Sequence, residues 1–278
     1  MNKIKIISDS SCDLNKEIIE KYSIEIVPLN VSFGDDVYID GELDKKEFYR
    51  KMSASKELPK TSCPSPEKFL KSYEGEEDVI VLTIASKLSG TYSTALLAKN
   101  MYEEKNSNKK IVVIDTETGS VAQGMLVIKA SEMVERGKSF DEIVETLERI
   151  KKDIVFYGSL ETLENAIKGG RINPLAGKII NALNFKAIIK VGDGEVKPID
   201  KARGHKNSVK KVIDKICEAV EKGEKKSLAL VHANCLEKAN KAKDMILENY
   251  DFENVIVEEV GAVIGTYSSE GAILIAVL

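Results

Sequence analysis

Short apolar segments rich in β-branched residues alternate with longer amphipathic segments along most of this sequence, and this alternation limits the possible folds more than any other feature. Ile4–Ile7, Val79–Ile84 and Ile111–Ile114 are typical strands, and each precedes a segment with apolar residues at helical spacing. Such an alternation is typical of βαβ units. The pattern predicts an α/β protein in which mainly parallel sheets are flanked by helices.

The second half of the chain has a different pattern. Phe185–Val191 and Glu195–Ile199 flank a Gly-Asp-Gly turn and are predicted to form a hairpin, because Asp-Gly is a strong two-residue turn signal. We place a boundary near residues 151–153. This predicts an N-terminal α/β lobe over residues 1–152 and a C-terminal α/β lobe over residues 153–278.

Charge and hydropathy exclude several classes of protein. The formal net charge of the 278 residues is −4, so no overall positive field would attract nucleic acid. No run approaches the roughly 20 apolar residues of a membrane span, and no signal peptide is evident at the start. The four cysteines form no Cys-x-x-Cys pair and are expected to be free thiols. We therefore expect a cytoplasmic protein.

Several catalytic motifs are missing from the sequence. No Gly-x-x-x-x-Gly-Lys-Ser/Thr loop, Gly-x-Gly-x-x-Gly turn, Gly-x-Ser-x-Gly elbow or His-Glu-x-x-His pair is present. These absences disfavour, without excluding, an enzyme that turns over alone.

Two polar loops stand where α/β proteins place ligands, beyond strand ends and before helices. One contains Thr61 and Ser62, and the other contains Ser89, Gly90 and Thr91. Their hydroxyls, together with the free N–H groups of a first helical turn, suit a carboxylate or a phosphate. Gly90 would let a ligand oxygen approach the backbone closely. The alternative is that these residues simply cap the helices that follow.

A set of short motifs resembles the DegV family across essentially the whole chain, and the order and spacing of these motifs carry the resemblance. They are Asp9-Ser10, Val27-Pro28-Leu29, Asp40-Gly41, Glu47-Phe48-Tyr49, Lys60-Thr61-Ser62, Pro64-Ser65-Pro66, Ser86-Lys87-Leu88-Ser89-Gly90-Thr91-Tyr92, Ile114-Asp115, Lys168-Gly169-Gly170-Arg171-Ile172 and Val263-Ile264-Gly265-Thr266.

The resemblance implies two α/β lobes with a lipid tunnel in one lobe near their interface. It implies a carrier without catalytic activity of its own, which binds a long-chain fatty acid and no other cofactor. The carrier would present the carboxylate to a separate ATP-dependent kinase subunit. By motif, Thr61 and Ser89 would bind the carboxylate, with Ser62 nearby. Arg171 would lie on the surface that contacts the kinase subunit or would take part in phosphoryl transfer. Helices such as Leu126–Ala130 and Ile179–Leu183 would line the tunnel, although each of their residues could equally belong to the core.

The sequence departs from the family near the C-terminal end. Where the family typically reads Gly-Thr-His-x-Gly-Pro-Gly, this chain has Tyr267 in place of the histidine. A tyrosine still donates a hydrogen bond but carries no positive charge near neutral pH. We expect Tyr267 beside the ligand head group, although the change leaves the coupling to a kinase open.

Two other functions remain possible at this point. The protein could be a lipid-responsive regulator without a kinase partner, or a hydrolase or transferase dependent on Ser89. The latter needs a base, and His205 and His232 are the candidates. Residues 201–226 carry nine Lys or Arg against four Asp or Glu, which suits either a solvated helix face or a docking surface for an acidic partner or lipid headgroups. At most a transient contact with a membrane surface is expected.

Overall fold

The computed structural model describes residues 3–105, 109–177, 185–221 and 227–278. The strands in these ranges are β1 (Ile4–Asp9), β2 (Glu25–Val27), β3 (Asn30–Phe33), β4 (Asp36–Ile39), β5 (Lys60–Ser62), β6 (Asp78–Thr83), β7 (Ile111–Asp115), β8 (Val155–Leu160), β9 (Phe185–Gly192), β10 (Glu195–Arg203), β11 (Ser227–His232), β12 (Asn254–Glu259) and β13 (Ile273–Val277). The helices are α1 (Lys16–Lys21), α2 (Lys45–Ala54), α3 (Pro66–Ser72), α4 (Thr91–Glu103), α5 (Ser120–Glu135), α6 (Phe140–Ile150), α7 (Glu164–Lys168), α8 (Pro174–Gly177), α9 (His205–Glu221), α10 (Leu236–Leu247) and α11 (Ala262–Ser268).

The first sheet has the order β2-β1-β6-β7, and all of its pairs are parallel. Every residue of β6 is buried, because this strand lies between β1 and β7 with apolar layers on both faces. The α/β class and the parallel arrangement predicted from the first half of the sequence are confirmed here.

The second sheet corrects the prediction of mainly parallel strands. Its order is β10-β9-β8-β13-β11-β12, and only the β11–β12 pair is parallel. The short Asp193-Gly194 connection forces β9 and β10 to be antiparallel, as the turn sequence predicts. The strand β13 then enters between β8 and β11 and runs antiparallel to both.

A third, small sheet with the order β4-β3-β5 was not predicted from the sequence. Both of its pairs are antiparallel, and Thr61 of β5 lies opposite Val31 of β3. Side chains of successive strand residues point to opposite faces. In β5 this alternation separates half-buried Thr61 from exposed Lys60 and Ser62.

One hydrophobic core joins residues from both halves of the chain. Phe48 of α2 and Met125 of α5 belong to the same buried cluster as Phe156 of β8 and Val231 of β11. A boundary between residues 152 and 153 stays a prediction. Among the described residues, no helix is both long and apolar enough to cross a bilayer.

Candidate functional site

A cavity with a mainly apolar wall lies between the six-stranded sheet, β5 and α11. It encloses about 760 Å³ of space, its opening to solvent included. The apolar side chains of the wall are Leu29, Ile84, Leu88, Phe156, Leu160, Ala166, Ile189, Val191, Val196, Val263, Ile264 and Leu274. The polar side chains of the wall are Thr61, Ser89, Ser120, Arg171, Tyr267 and Ser268. A ligand with a long apolar part and a small polar part would match this wall.

Two of these polar residues contact each other directly. The Oγ1 of Thr61 and the hydroxyl of Tyr267 are 2.6 Å apart, and either can be the donor. Tyr267 lies near the end of α11, and Thr61 faces it from the middle of β5. The contact brings together two of the residues that the sequence placed near a head group.

The ring of Tyr267 lies between a guanidinium group and a glycine. The Arg171 Cζ is 4.6 Å from the ring centroid, which is within the range of a cation–π contact. Gly169, at the end of α7, also lies against this ring. A Cβ on Gly169 would be 2.7 Å from Tyr267 Cδ1, closer than side chains tolerate. The Gly-Gly-Arg motif therefore leaves space for the tyrosine ring at Gly169 and places the positive charge of Arg171 beside that ring.

The guanidinium group is itself fixed by backbone carbonyls. Arg171 Nε donates to the carbonyl of Leu88 at 3.2 Å, and its Nη1 donates to the carbonyl of Gly169 at 2.6 Å. The first of these bonds ties the Gly-Gly-Arg turn to the loop that carries Ser89. The positive charge thus belongs to the same cavity wall as Ser89 and Tyr267.

Ser89 is oriented by its neighbour Thr91. The two side-chain oxygens are 2.8 Å apart, and the N–H of Thr91 also donates to Ser89 Oγ at 3.3 Å. Ser89 lines the cavity, whereas Thr91 is fully buried behind it. Thr91 is therefore placed to hold Ser89 rather than to contact a ligand.

A buried carboxylate fixes the start of this loop. Asp9 Oδ2 accepts the N–H of Ile84 at 2.8 Å, and Asp9 Oδ1 accepts the N–H of Ser11 at 3.0 Å. Burial raises the pKa of Asp9, and these hydrogen bonds oppose the rise. The loop bearing Ser89 therefore leaves β6 in a direction set by Asp9.

Besides Thr91, two other predicted site residues lie off the cavity wall. Ser62 is exposed, and its Oγ accepts a hydrogen bond from Asn30 Nδ2 at 3.3 Å. The strand alternation of β5 turns Ser62 away from Thr61, so the prediction that it lies beside the head group does not fit this geometry. Gly90 is also exposed, and a Cβ there would meet only the Cys63 Sγ, at 3.6 Å.

Two buried carboxylates hold the beginning of α11. Asp13 Oδ1 accepts the N–H of Gly261 at 2.7 Å, and Asp40 Oδ1 accepts the N–H of Val263 at 3.3 Å. Burial raises the pKa of both carboxyls, in Asp13 to about 7. The helix that carries Tyr267 is thus anchored to Asp13 and Asp40 from the first part of the chain. The sequence motifs contained Asp40 without indicating this role.

One helix segment expected to line a lipid tunnel, Leu126–Ala130, is not part of this wall. Leu126, Val127 and Ala130 are buried in the core beneath the four-stranded sheet, because that face of α5 packs against β1 and β6. The segment Ile179–Leu183 lies outside the described residues. The strands β8, β9, β10 and β13 instead supply much of the apolar surface.

Neither histidine is placed to activate Ser89. His205 Nδ1 is 2.8 Å from Glu161 Oε1, and His232 Nδ1 accepts the N–H of Cys235 at 3.3 Å. Neither ring lines the cavity. The arrangement that a serine hydrolase would need is therefore not found among the described residues.

Fold and cavity together define an α/β protein with an apolar cavity, whose described wall carries hydroxyls and one guanidinium. The chain belongs to the DegV family, because the family profile described as "Uncharacterised protein, DegV family" matches residues 3–278. A DegV domain-containing protein of Clostridium perfringens is 38% identical over 240 residues, with 83% of each chain covered.

Solved structures of similar proteins share the whole fold. A DegV family protein of Ruminococcus gnavus, described with vaccenic acid, is 30% identical with a TM-score of 0.92, covering 99% of this chain and 100% of that chain. The fatty acid kinase B3 protein of Streptococcus pneumoniae, loaded with linoleic acid, is 28% identical with a TM-score of 0.89, covering 99% of both chains.

Proposed function

We propose that this protein binds one long-chain fatty acid, with the hydrocarbon in the apolar cavity and the carboxylate at Thr61, Ser89 and Tyr267. The observation that carries the proposal is the composition of the cavity wall, which among the described residues is apolar except for a few hydroxyls and one guanidinium. Burial of hydrocarbon contributes about 0.8 kcal/mol per methylene, so a chain of about 16 carbons would gain on the order of 10 kcal/mol before ordering costs.

The polar groups of the wall suit a carboxylate. A buried carboxylate must receive hydrogen bonds, or it takes up a proton instead. Thr61 and Tyr267 share one hydrogen bond, and a ligand oxygen beside them would accept the second hydroxyl hydrogen. The guanidinium of Arg171 adds a positive charge that favours the ionised form of the ligand.

We further propose that the protein acts as a carrier for a separate ATP-dependent kinase subunit rather than as an enzyme alone. The contacts of His205 with Glu161 and of His232 with Cys235 are consistent with this role, because they engage both rings away from Ser89. The likeness to the fatty acid kinase B3 protein supports a kinase partner. In this role Arg171 would lie beside the carboxylate as the carboxylate receives the phosphoryl group. We propose that the protein acts in the cytoplasm.

A lipid-responsive regulator is the second candidate. Tyr267 favours the regulator, because a neutral phenol stands where the family typically has a histidine. A regulator would bind the same fatty acid at the same cavity but would not support acyl phosphate formation.

Two measurements in sequence test these proposals. Native mass spectrometry of the purified protein should detect one long-chain fatty acid per chain, and a ligand-free protein that also fails to take up added fatty acid would reject lipid binding. The loaded protein is then mixed with ATP and the kinase subunit of a related bacterium, and acyl phosphate is trapped with hydroxylamine. Trapped acyl hydroxamate supports the carrier role, whereas fatty acid binding without hydroxamate favours the regulator.

A further inference from the structure

Ser268 lies directly after Tyr267 in α11 and lines the same cavity. Val263, Ile264, Tyr267 and Ser268 follow the spacing of one helical face, and all four belong to the cavity wall. Only 6% of Ser268 is exposed. Its hydroxyl is therefore placed on the ligand side of the helix and away from bulk solvent.

The hydroxyl of Ser268 has no hydrogen-bond partner among the described residues. A serine or threonine inside a helix commonly donates to the carbonyl four residues earlier. Thr266 does so in the same helix, donating to the Ala262 carbonyl at 2.8 Å, and Ser131 does so in α5 at 3.0 Å. Ser268 makes no such bond, and a buried hydroxyl without a partner is unfavourable.

The other serine and threonine hydroxyls of the wall are already engaged. Thr61 pairs with Tyr267, and Ser89 pairs with Thr91. Ser120 Oγ donates to Asp13 Oδ2 at 2.6 Å. Within the described part of the cavity wall, Ser268 is thus the serine whose hydroxyl has no partner in the protein.

We propose that Ser268 Oγ donates a hydrogen bond to a carboxylate oxygen of the bound fatty acid, which makes it a specificity-determining residue for an ionised head group. The inference rests on the proposed function and extends it to a residue that the sequence motifs did not indicate. A hydrogen bond from Ser268 would favour a fatty acid over its methyl ester, because the neutral ester is a weaker acceptor than the carboxylate.

Ser268→Ala tests this inference, with Ser269→Ala as the matched control. Ser269 is also buried, and its hydroxyl also lacks a partner among the described residues, but it does not line the cavity. Affinities for a long-chain fatty acid and for its methyl ester are measured by fluorescence titration for each variant. We expect Ser268→Ala to weaken binding of the acid about 10-fold, with ester binding within about 2-fold of wild type. Ser268→Thr, which keeps the hydroxyl, should retain most of the affinity for the acid.

The outcomes separate this inference from the function on which it rests. Unchanged acid binding by Ser268→Ala, with a wild type that binds well, would overturn the role of Ser268 alone. An equal loss for acid and ester would show that the residue acts through packing, which also overturns it. A wild type that binds neither ligand would reject the proposed function, and the role of Ser268 with it.

Discussion

The hydroxyl of Tyr267 lies 2.6 Å from the Oγ1 of Thr61, although 206 positions separate the two residues in the chain. One residue belongs to a three-residue edge strand, and the other belongs to a seven-residue helix. Neither element would be stable alone, so the contact depends on the packing of the whole fold around it.

Removal of either hydroxyl of this pair should weaken fatty acid binding. We expect Thr61→Ala and Tyr267→Phe each to cost about 1.5–3 kcal/mol in binding free energy, the usual contribution of a hydrogen bond to a charged group. Because the two hydroxyls share a bond, the loss in the double variant should differ from the sum of the single losses. Titration with a fluorescent fatty acid measures all three, and strict additivity would contradict a shared site. Ser62→Ala should bind like wild type if its hydroxyl faces Asn30 as described.

Gly169→Ala should disturb the carboxylate site through Tyr267. The added Cβ would overlap the tyrosine ring, and such overpacking typically costs about 1–3 kcal/mol. We expect a lower melting temperature and weaker fatty acid binding. Gly192→Ala is the matched control, since a Cβ there meets nothing within 4 Å. Truncation of the ring in Gly169→Ala/Tyr267→Ala should recover much of the lost stability, and a double variant without any recovery would refute the contact.

Gly158→Ala should alter the capacity of the cavity for acyl chains. Gly158 lies in β8 directly between Leu274 and Ile189, and both of these side chains line the cavity. A Cβ would lie 3.0 Å from Ile189 Cγ1 and overlap Leu274, so both side chains must move. We expect affinity for a long-chain fatty acid to fall more than affinity for a medium-chain one. Equal changes for both chain lengths in a titration series would argue against this position as part of the hydrocarbon wall.

The stability of the protein should depend on pH through Asp13. Its carboxyl has a pKa of about 7 in the folded protein, mainly because of burial, against an ordinary value of 3.8. The folded state therefore holds this proton more tightly than the unfolded state. The resulting stabilisation is complete below about pH 4 and is lost as the pH rises to about 7.

Asp13→Asn should remove that part of the pH dependence. Asparagine keeps an acceptor for the Gly261 N–H and tolerates the positive φ of 52° at this position. Urea unfolding at several pH values should show the variant gaining stability relative to wild type between about pH 4 and pH 7. Asp40 and Lys45 face the same carboxyl and remain in both proteins. A constant stability difference over this range would contradict the prediction, and exposed Asp35→Asn provides the control.

Elements with strong periodic patterns were predicted well from the sequence. The predicted strands Ile4–Ile7, Val79–Ile84 and Ile111–Ile114 agree with β1, β6 and β7 to within two residues at each end. In α6 the Ser139 side chain accepts the N–H of Glu142 at 3.3 Å, which marks the helix start by a local signal. Local signals of this kind are readable because they involve residues a few positions apart.

Elements fixed by distant contacts could not be predicted in this way. The short strand β5 exists through its pairing with β3, and α11 begins where Asp13 and Asp40 accept its N–H groups. The order of the six-stranded sheet depends on where β13 enters, which periodicity does not reveal.

The residues of the site show the same contrast between local sequence signals and contacts that only the fold creates. Motifs indicated Thr61, Ser89, Arg171 and Tyr267, and the structure brings all four to one cavity, while their role in binding stays a proposal. No sequence motif indicated Ser268. What distinguishes this residue is a buried hydroxyl without a hydrogen-bond partner, and only the structure reveals that.

The position of β13 also has a consequence for biosynthesis. Although β13 follows the other described strands in the chain, it lies inside the six-stranded sheet, with β8 on one side and β11 on the other. Before it emerges from the ribosome, β8–β10 and β11–β12 are two separate ribbons with exposed edges, and Leu274 is missing from the cavity wall. Insertion of this strand closes the sheet and adds Leu274 to the wall in one step, so a nascent chain can complete the cavity only after β13 has been synthesised.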